Sequence, residues 1–181
     1  MKKAYSILEP KDLSSLDAIK HGIRNESVAA NKLKESLKLQ YGENFELSNC
    51  GLYVHPTLPF LGASPDRILK IYNENVVVEI KCPHSAFKLK ISPYTVNYLE
   101  LISDTLCLKK THSYYSQVQG QLACTNLKTC FFVVYTGDLV IIRVHRDEQF
   151  IAHMLLQLND FYQKYFKFAV LNKYFYKSVK Y

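Results

Sequence analysis

The chain has 181 residues, 48% of them hydrophobic, enough for one domain with a substantial core, spanning residues 1–181, and short for two. Lys and Arg number 23 against 16 Asp and Glu, a net charge of +7. That balance favours a polyanionic partner such as nucleic acid, and equally fits a soluble basic protein. The cysteines at 50, 82, 107, 124 and 130 are odd in number and lack C-x-x-C spacing, which argues against a disulfide framework. The sequence carries no continuous apolar run of signal-peptide or bilayer-spanning length, so the expectation is a soluble protein of a reducing intracellular compartment, cytoplasm or nucleus, without a membrane partner. The six histidines show no zinc-like spacing.

In chain order, Asp12 to about Tyr41 reads as a helix, with Leu16, Ile19, Ile23, Ala30, Leu33 and Leu37 recurring at steps of three and four and Gly22 as a candidate kink. Phe45 to His55 reads as extended, closed by the turn-prone Pro56-Thr57-Leu58-Pro59. Phe60 to Tyr72 and Val76 to Cys82 read as strands around a four-residue loop, Tyr72 to Asn75, and Pro83 halts the second. Residues 84–110 read as loop with short helices. Thr111 or Ser113 is the expected cap of a helix reaching about Thr125. Thr129 to Thr136 and Leu139 to His145 are strands about Gly137-Asp138, and residues 147–170 return to helical periodicity. The order α-β-β-β-α-β-β-α predicts a mixed sheet with helices against it, its core over residues 12–145. The tail KYFYKSVKY, Lys173 to Tyr181, interleaves cations and aromatics that could stack on bases, or simply fray.

The chemistry concentrates in SPDRILKIYNENVVVEIKC, Ser64 to Cys82. A four-residue loop pairs Ile71 with Val76, Ile68 with Glu79 and Asp66 with Lys81, so all the polar residues share one face. Asp66 and Glu79 then become diagonal neighbours whose carboxylates can converge on one ion. Val76, Val78 and Ile80 on one face and Val77 on the other imply a central strand buried on both sides, where ionised groups are costly unless compensated. Hard oxygen ligands suit Mg²⁺ or Mn²⁺. The same residues also allow a plain Asp66–Lys81 ion pair with Glu79 solvated. Glu26 is the one charge on the apolar stripe of the first helix; it points across the sheet at the ion, or is exposed if Gly22 bends the helix. In YYSQVQGQLACT, Tyr115, Gln119 and Leu122 share one helix side and Gln117 and Gln121 another.

In this order, HGIRNESVAA, LGASPDRIL, VVVEIKCP and YYSQVQGQLACT resemble the YqaJ-type viral recombinase and lambda exonuclease branch of the PD-(D/E)xK nucleases, over roughly Ala18 to Ile142. The resemblance implies a restriction-endonuclease-like αβββαβ core, a mixed central sheet flanked by helices. It implies that Asp66, Glu79 and the backbone carbonyl of Ile80 hold Mg²⁺, with Mn²⁺ able to substitute, and that Glu26 completes the shell through water. Lys81 would orient or help deprotonate the attacking water, and Gln119 would position that water. Ser64 matches a position that contacts a terminal 5′-phosphate, and Arg67, Gln117 and Lys88 join it as expected nucleic-acid contacts. The implied activity is 5′–3′ exonucleolytic hydrolysis of double-stranded DNA, in recombination or viral DNA processing. An endonuclease or resolvase, or a catalytically idle DNA-binding fold, is the alternative. A recombination partner protein and a homo-oligomer are compatible with the resemblance. Two departures stand out: the Ser- and Arg-bearing segment expected upstream of the G-x-x-x-E helix is not identifiable, and the phosphate-binding arginine expected soon after Lys81 is missing, with only His84 and Lys88 nearby.

Overall fold

The computed structural model describes residues 2–176, which fall into two compact units. Among the described residues the first gathers residues 2–13 and 148–176, the second residues 14–147. In chain order the elements are helix α1 (Lys2–Leu8), helix α2 (Asp17–Tyr41), strands β1 (Phe45–Asn49), β2 (Tyr53–Val54), β3 (Gly62–Ala63), β4 (Arg67–Ile71) and β5 (Glu74–Lys81), then β6 (Leu99–Ile102) and β7 (Thr105–Leu108). Helix α3 (Ser113–Thr125), strands β8 (Thr129–Tyr135) and β9 (Leu139–His145), and helices α4 (Glu148–Phe161) and α5 (Lys167–Leu171) follow.

In the larger unit one five-stranded sheet runs in the order β1-β4-β5-β8-β9. Its pairs are antiparallel except β5 with β8, which are parallel and joined through a crossover that carries α3. The mixed α/β architecture expected from the element order is therefore present, and β5 is the central strand that its unbroken apolar run implied. Val76, Val78 and Ile80 on one face of β5 pack with Ala29, Ala30, Leu33 and Leu37 of α2 and with Phe131, Val133 and Tyr135 of β8, forming the main core. Helix α2 runs unbroken through Gly22, so that residue does not kink it. Only its later turns are buried: Leu16, Ile19 and Ile23 remain 50%, 38% and 67% exposed, so half of the apolar stripe faces outward.

The register between β4 and β5 differs from the expected one. Ile71 pairs with Glu74 and Ile68 with Val77, because the hairpin closes through only two residues, with Tyr72 at φ 52° in the left-handed region. The two-residue shift keeps every side chain on its expected face but sets Asp66 opposite Glu79 rather than Lys81. Residues 84–110 also depart from expectation: they hold the β6–β7 hairpin, turned by Ser103 and Asp104 at φ 48° and 61°. Two successive left-handed residues are what a tight hairpin turn requires, and Ser-Asp is a weaker sequence signal for it than Asn-Gly. The cap of α3 is His112, whose ring nitrogen accepts from the Tyr114 N–H at 3.2 Å, not Thr111 or Ser113.

In the smaller unit α4 continues into π-helical turns at Tyr162–Phe166 and Asn172–Tyr176 on either side of α5. Lys173 of this unit donates to the Leu8 carbonyl at 2.9 Å and pairs with Glu9 at 3.3 Å. Lys177 to Tyr181 of the Lys/Tyr tail lie outside the described residues. Among the described residues no helix is long and apolar enough to cross a membrane.

Candidate active site

Strand β4 begins at Arg67, one residue after Asp66, while β5 runs on to Lys81. The edge of β5 beyond Val78 therefore lacks a backbone partner on that side, and the Asp66 carboxylate supplies one: Oδ2 accepts the Ile80 N–H at 2.6 Å. In a strand, a residue's N–H and C=O point to the same edge, so the Ile80 carbonyl faces the same gap. Asp66 and the Ile80 backbone thus meet at the start of β4.

Glu79 is 2% exposed, and both of its carboxylate oxygens accept hydrogen bonds. Its Oε1 accepts from Lys81 Nζ at 2.5 Å and from Gln117 Nε2 at 2.7 Å, and its Oε2 from Gln121 Nε2 at 2.7 Å. Gln117 and Gln121 are one turn apart on α3 and face the sheet together, as their spacing implied. Lys81 Nζ also lies 4.5 Å from the centre of the Tyr114 ring, so its charge is held between a carboxylate and an aromatic face. Lys81 pairs with Glu79, not with Asp66 as the plain ion-pair alternative had it.

Gln119 corrects an expectation. It is fully buried, donates to the His145 carbonyl at 2.9 Å and accepts the Asp147 N–H at 2.9 Å, tying α3 to the end of β9. At about 100° per residue it points some 200° away from Gln117 and Gln121, so it cannot stand beside Lys81. Gln117 occupies that place.

A cavity of about 360 Å³ opens over this edge of the sheet, lined by Glu26, Asp66, Ile80, Lys81 and two tyrosines, Tyr98 and Tyr114, among others. Glu79 contributes no lining surface and acts on the cavity through Lys81. Glu26 reaches the cavity, but Arg67 Nη1 holds its Oε1 at 2.9 Å. Arg67 also donates to the Asp66 carbonyl, so its guanidinium is engaged within the site. Ser64 and Lys88 are not among the lining residues: Ser64 Oγ donates to the Gly51 carbonyl at 3.2 Å, and Lys88, at φ 64°, bonds through its N–H to the Thr136 carbonyl. Among the described residues, no three His, Cys, Asp or Glu side chains are grouped to hold a metal ion.

Burial, and then the charge of Glu79, push the Asp66 carboxyl up to about 6, against the lowering effect of the Ile80 N–H. Burial raises the Cys82 thiol to about 11, with Glu26 and Asp66 adding to it, so this cavity-wall sulfur is an inert thiol at neutral pH. Tyr98 is held well above the usual phenol range by burial, then by Tyr114, and keeps its proton, with its enclosed hydroxyl making no hydrogen bond among the described residues. Sequence reasoning missed both tyrosines. Tyr114 had a signal, standing one turn before Gln117 in the same motif; Tyr98, in the hairpin region read as loop, had none.

A model of the YqaJ-like viral recombinase domain matches residues 2–128, most of the chain. The chain belongs to that family. Membership implies a nuclease acting on DNA. Among solved structures, LHK-Exo in complex with dAMP aligns at a TM-score of 0.68 and 23% identity, over 97% of this chain and 83% of that one. A second, an alkaline exonuclease (LHK-Exo) from Laribacter hongkongensis, aligns at 0.64 and 23% identity, over 87% and 72%. At that identity the likeness establishes the shared fold. No curated protein sequence matches the chain.

Proposed function

We propose that this YqaJ-family protein is a Mg²⁺-dependent deoxyribonuclease that hydrolyses phosphodiester bonds from the ends of double-stranded DNA, 5′ to 3′, in recombination or viral DNA processing. The observation that carries this reading is the meeting of Asp66, the Ile80 backbone and Lys81 at the β4–β5 edge of one cavity, with buried Glu79 bound to Lys81 behind them.

The donor set fits a hard divalent cation. Asp66, Glu79 and the Ile80 carbonyl offer only oxygen, and the raised proton affinity of Asp66 comes from burial and from a neighbouring acid, a repulsion that a cation relieves. Asp66, Glu79 and the Ile80 carbonyl would hold it, with Glu26 completing the shell once Arg67 gives way. When bound, such an ion would lower the pKa of a water and screen charge developing on the phosphate. Mn²⁺ would serve in place of Mg²⁺.

The chain's own residues supply orientation and charge. Lys81, fixed between Glu79 and the Tyr114 ring, aims its remaining donors into the cavity, where it orients the attacking water and offsets charge on the phosphate. Gln117 and Gln121 hold both oxygens of Glu79, so the acid keeps one orientation while its neighbours exchange protons. Tyr98 and Tyr114 wall the cavity with aromatic rings, Tyr114 carrying Lys81 over its face.

Incubating 5′-phosphorylated linear duplex with wild type and Glu79→Ala, in Mg²⁺ or EDTA, tests the proposal. Degradation by wild type with Mg²⁺ alone is expected, and equal outcomes in all lanes would refute the site. Nicked and closed circular duplexes run alongside separate end-dependent cutting from the endonuclease reading. A catalytically idle DNA-binding fold is favoured by the Arg67–Glu26 pair, which occupies one expected metal acid; it predicts duplex binding without degradation in any lane.

A further inference from the structure

The residues of α2 that do not line the active cavity form a second hollow beside it. Ala18, Ile19, Gly22, Ile23 and Glu26 face the cavity, whereas Asp17, Lys20, His21, Arg24 and Asn25, the next stripe around the helix, line an open hollow of about 430 Å³ closed by His84. His84 lies three residues beyond Lys81, just after Pro83, which itself lines the active cavity. The two hollows are therefore joined along both walls, the helix on one side and the segment after β5 on the other.

The charge in this hollow is net positive, Lys20 and Arg24 against Asp17. Among the described residues, Lys81, Arg67 and Lys110 are each paired with a carboxylate, but Lys20 and Arg24 have neither an ion-pair nor a side-chain hydrogen-bond partner. Asp17 is the one acid in the lining and bonds to neither of them. The two imidazoles are built in: His21 stands 5.0 Å from His84 and 4.8 Å from Phe87 between ring centres, and Asn25 Nδ2 reaches its Nδ1 at 3.3 Å and its carbonyl at 2.9 Å. The remaining ring nitrogen of His21, Nε2, is enclosed and has no partner. Lys20 and Arg24, one turn apart on the rim, are both exposed. Two exposed cations on the helix, facing the exposed His84 ring across the hollow, suit a tetrahedral oxyanion.

We propose that the Lys20–Arg24–His84 hollow binds an internal backbone phosphate of the nucleic-acid strand whose end enters the active cavity. This rests on the nuclease reading of that cavity. Lys20 and Arg24 are the charge-bearing pair of this hollow.

The test is duplex binding by fluorescence anisotropy in EDTA, where nothing is cut, with a labelled 20-base-pair duplex across a salt series. Each lost phosphate contact lowers the slope of log affinity against log salt by about 0.9. Lys20→Ala/Arg24→Ala should weaken binding at least tenfold and reduce that slope by about 1 to 2. His84→Ala should weaken binding by a smaller factor. Lys32→Ala/Lys34→Ala, exposed cations farther along the same helix, should change neither quantity. The loss should be equal for 5′-phosphorylated and 5′-hydroxyl duplexes. An unchanged slope in Lys20→Ala/Arg24→Ala, an equal loss in the Lys32/Lys34 control, or a defect confined to 5′-phosphorylated ends would each overturn the proposal. Wild type that degrades duplex while the double variant keeps the wild-type slope sinks this inference alone; wild type that neither binds nor degrades duplex sinks the nuclease reading with it.

Discussion

Asp66 Oδ2 accepts the Ile80 N–H at 2.6 Å, so an acid standing just outside β4 finishes the ladder that β4 leaves open on β5. The bond gives Asp66 a structural duty besides any role with an ion, and the two are separable. Asp66→Asn keeps an acceptor for Ile80 and removes the charge. We expect it to fold with unchanged circular dichroism and to lose about 100-fold or more of duplex degradation, whereas Asp66→Ala should also lower the melting temperature. An active Asp66→Asn protein would show that the charge is dispensable.

The raised Asp66 carboxyl makes stability depend on pH with a definite sign. Its folded value of about 6 lies above the ordinary 3.8, so between those values the folded chain holds a proton that the unfolded chain releases. The resulting stability is full below the ordinary value and is lost as pH rises through about 6. In metal-free protein, melting temperature should therefore fall between pH 5 and 7.5 in wild type, and fall less in Asp66→Asn. Added Mg²⁺ should raise it more at pH 8 than at pH 5. Parallel melting curves for the two proteins across this range would contradict the assignment.

The glutamines of α3 divide by face. Gln119→Ala removes two buried bonds to the β9 end and should cost about 2 kcal/mol of unfolding free energy in urea, with kcat of the folded fraction little changed. Gln117→Ala acts where Glu79 and Lys81 meet, and should lower kcat about tenfold or more with a small change in stability. The reverse pattern would restore Gln119 to the site.

Leu33 of α2 is fully buried against the sheet. Leu33→Ala should destabilise by about 2 to 5 kcal/mol, read from urea midpoints, whereas Leu39→Ala, at a position 90% exposed on the same helix, should stay within about 0.5 kcal/mol.

Much of this arrangement was legible in the residues, for reasons of periodicity. The alternation of Val76, Val78 and Ile80 against Val77 and Glu79 forces a strand covered on both faces, and face-sharing survives any even shift of register. The register itself was not legible, because Tyr72-Asn73 and Tyr72 to Asn75 are both plausible loops, and only tertiary packing selects the shorter. The grouping of Gln117 with Gln121 followed from helical spacing, but which side faces the sheet did not, since both sides of α3 carry apolar residues and both are buried. The β6–β7 hairpin escaped notice because its turn lacks glycine, and with it went Tyr98.

The parallel pairing of β5 with β8 has a kinetic consequence. Val77 meets Cys130 and Lys81 meets Val134 only after the long intervening segment has closed, and the amides that hold Glu79 lie within that segment. Until the loop closes, a carboxylate bound for the interior has no donors waiting for it and favours staying in water. Closure of this crossover and burial of Glu79 are therefore one event, late and slow relative to the local β4–β5 hairpin, so refolding should bring back secondary structure before it brings back the site.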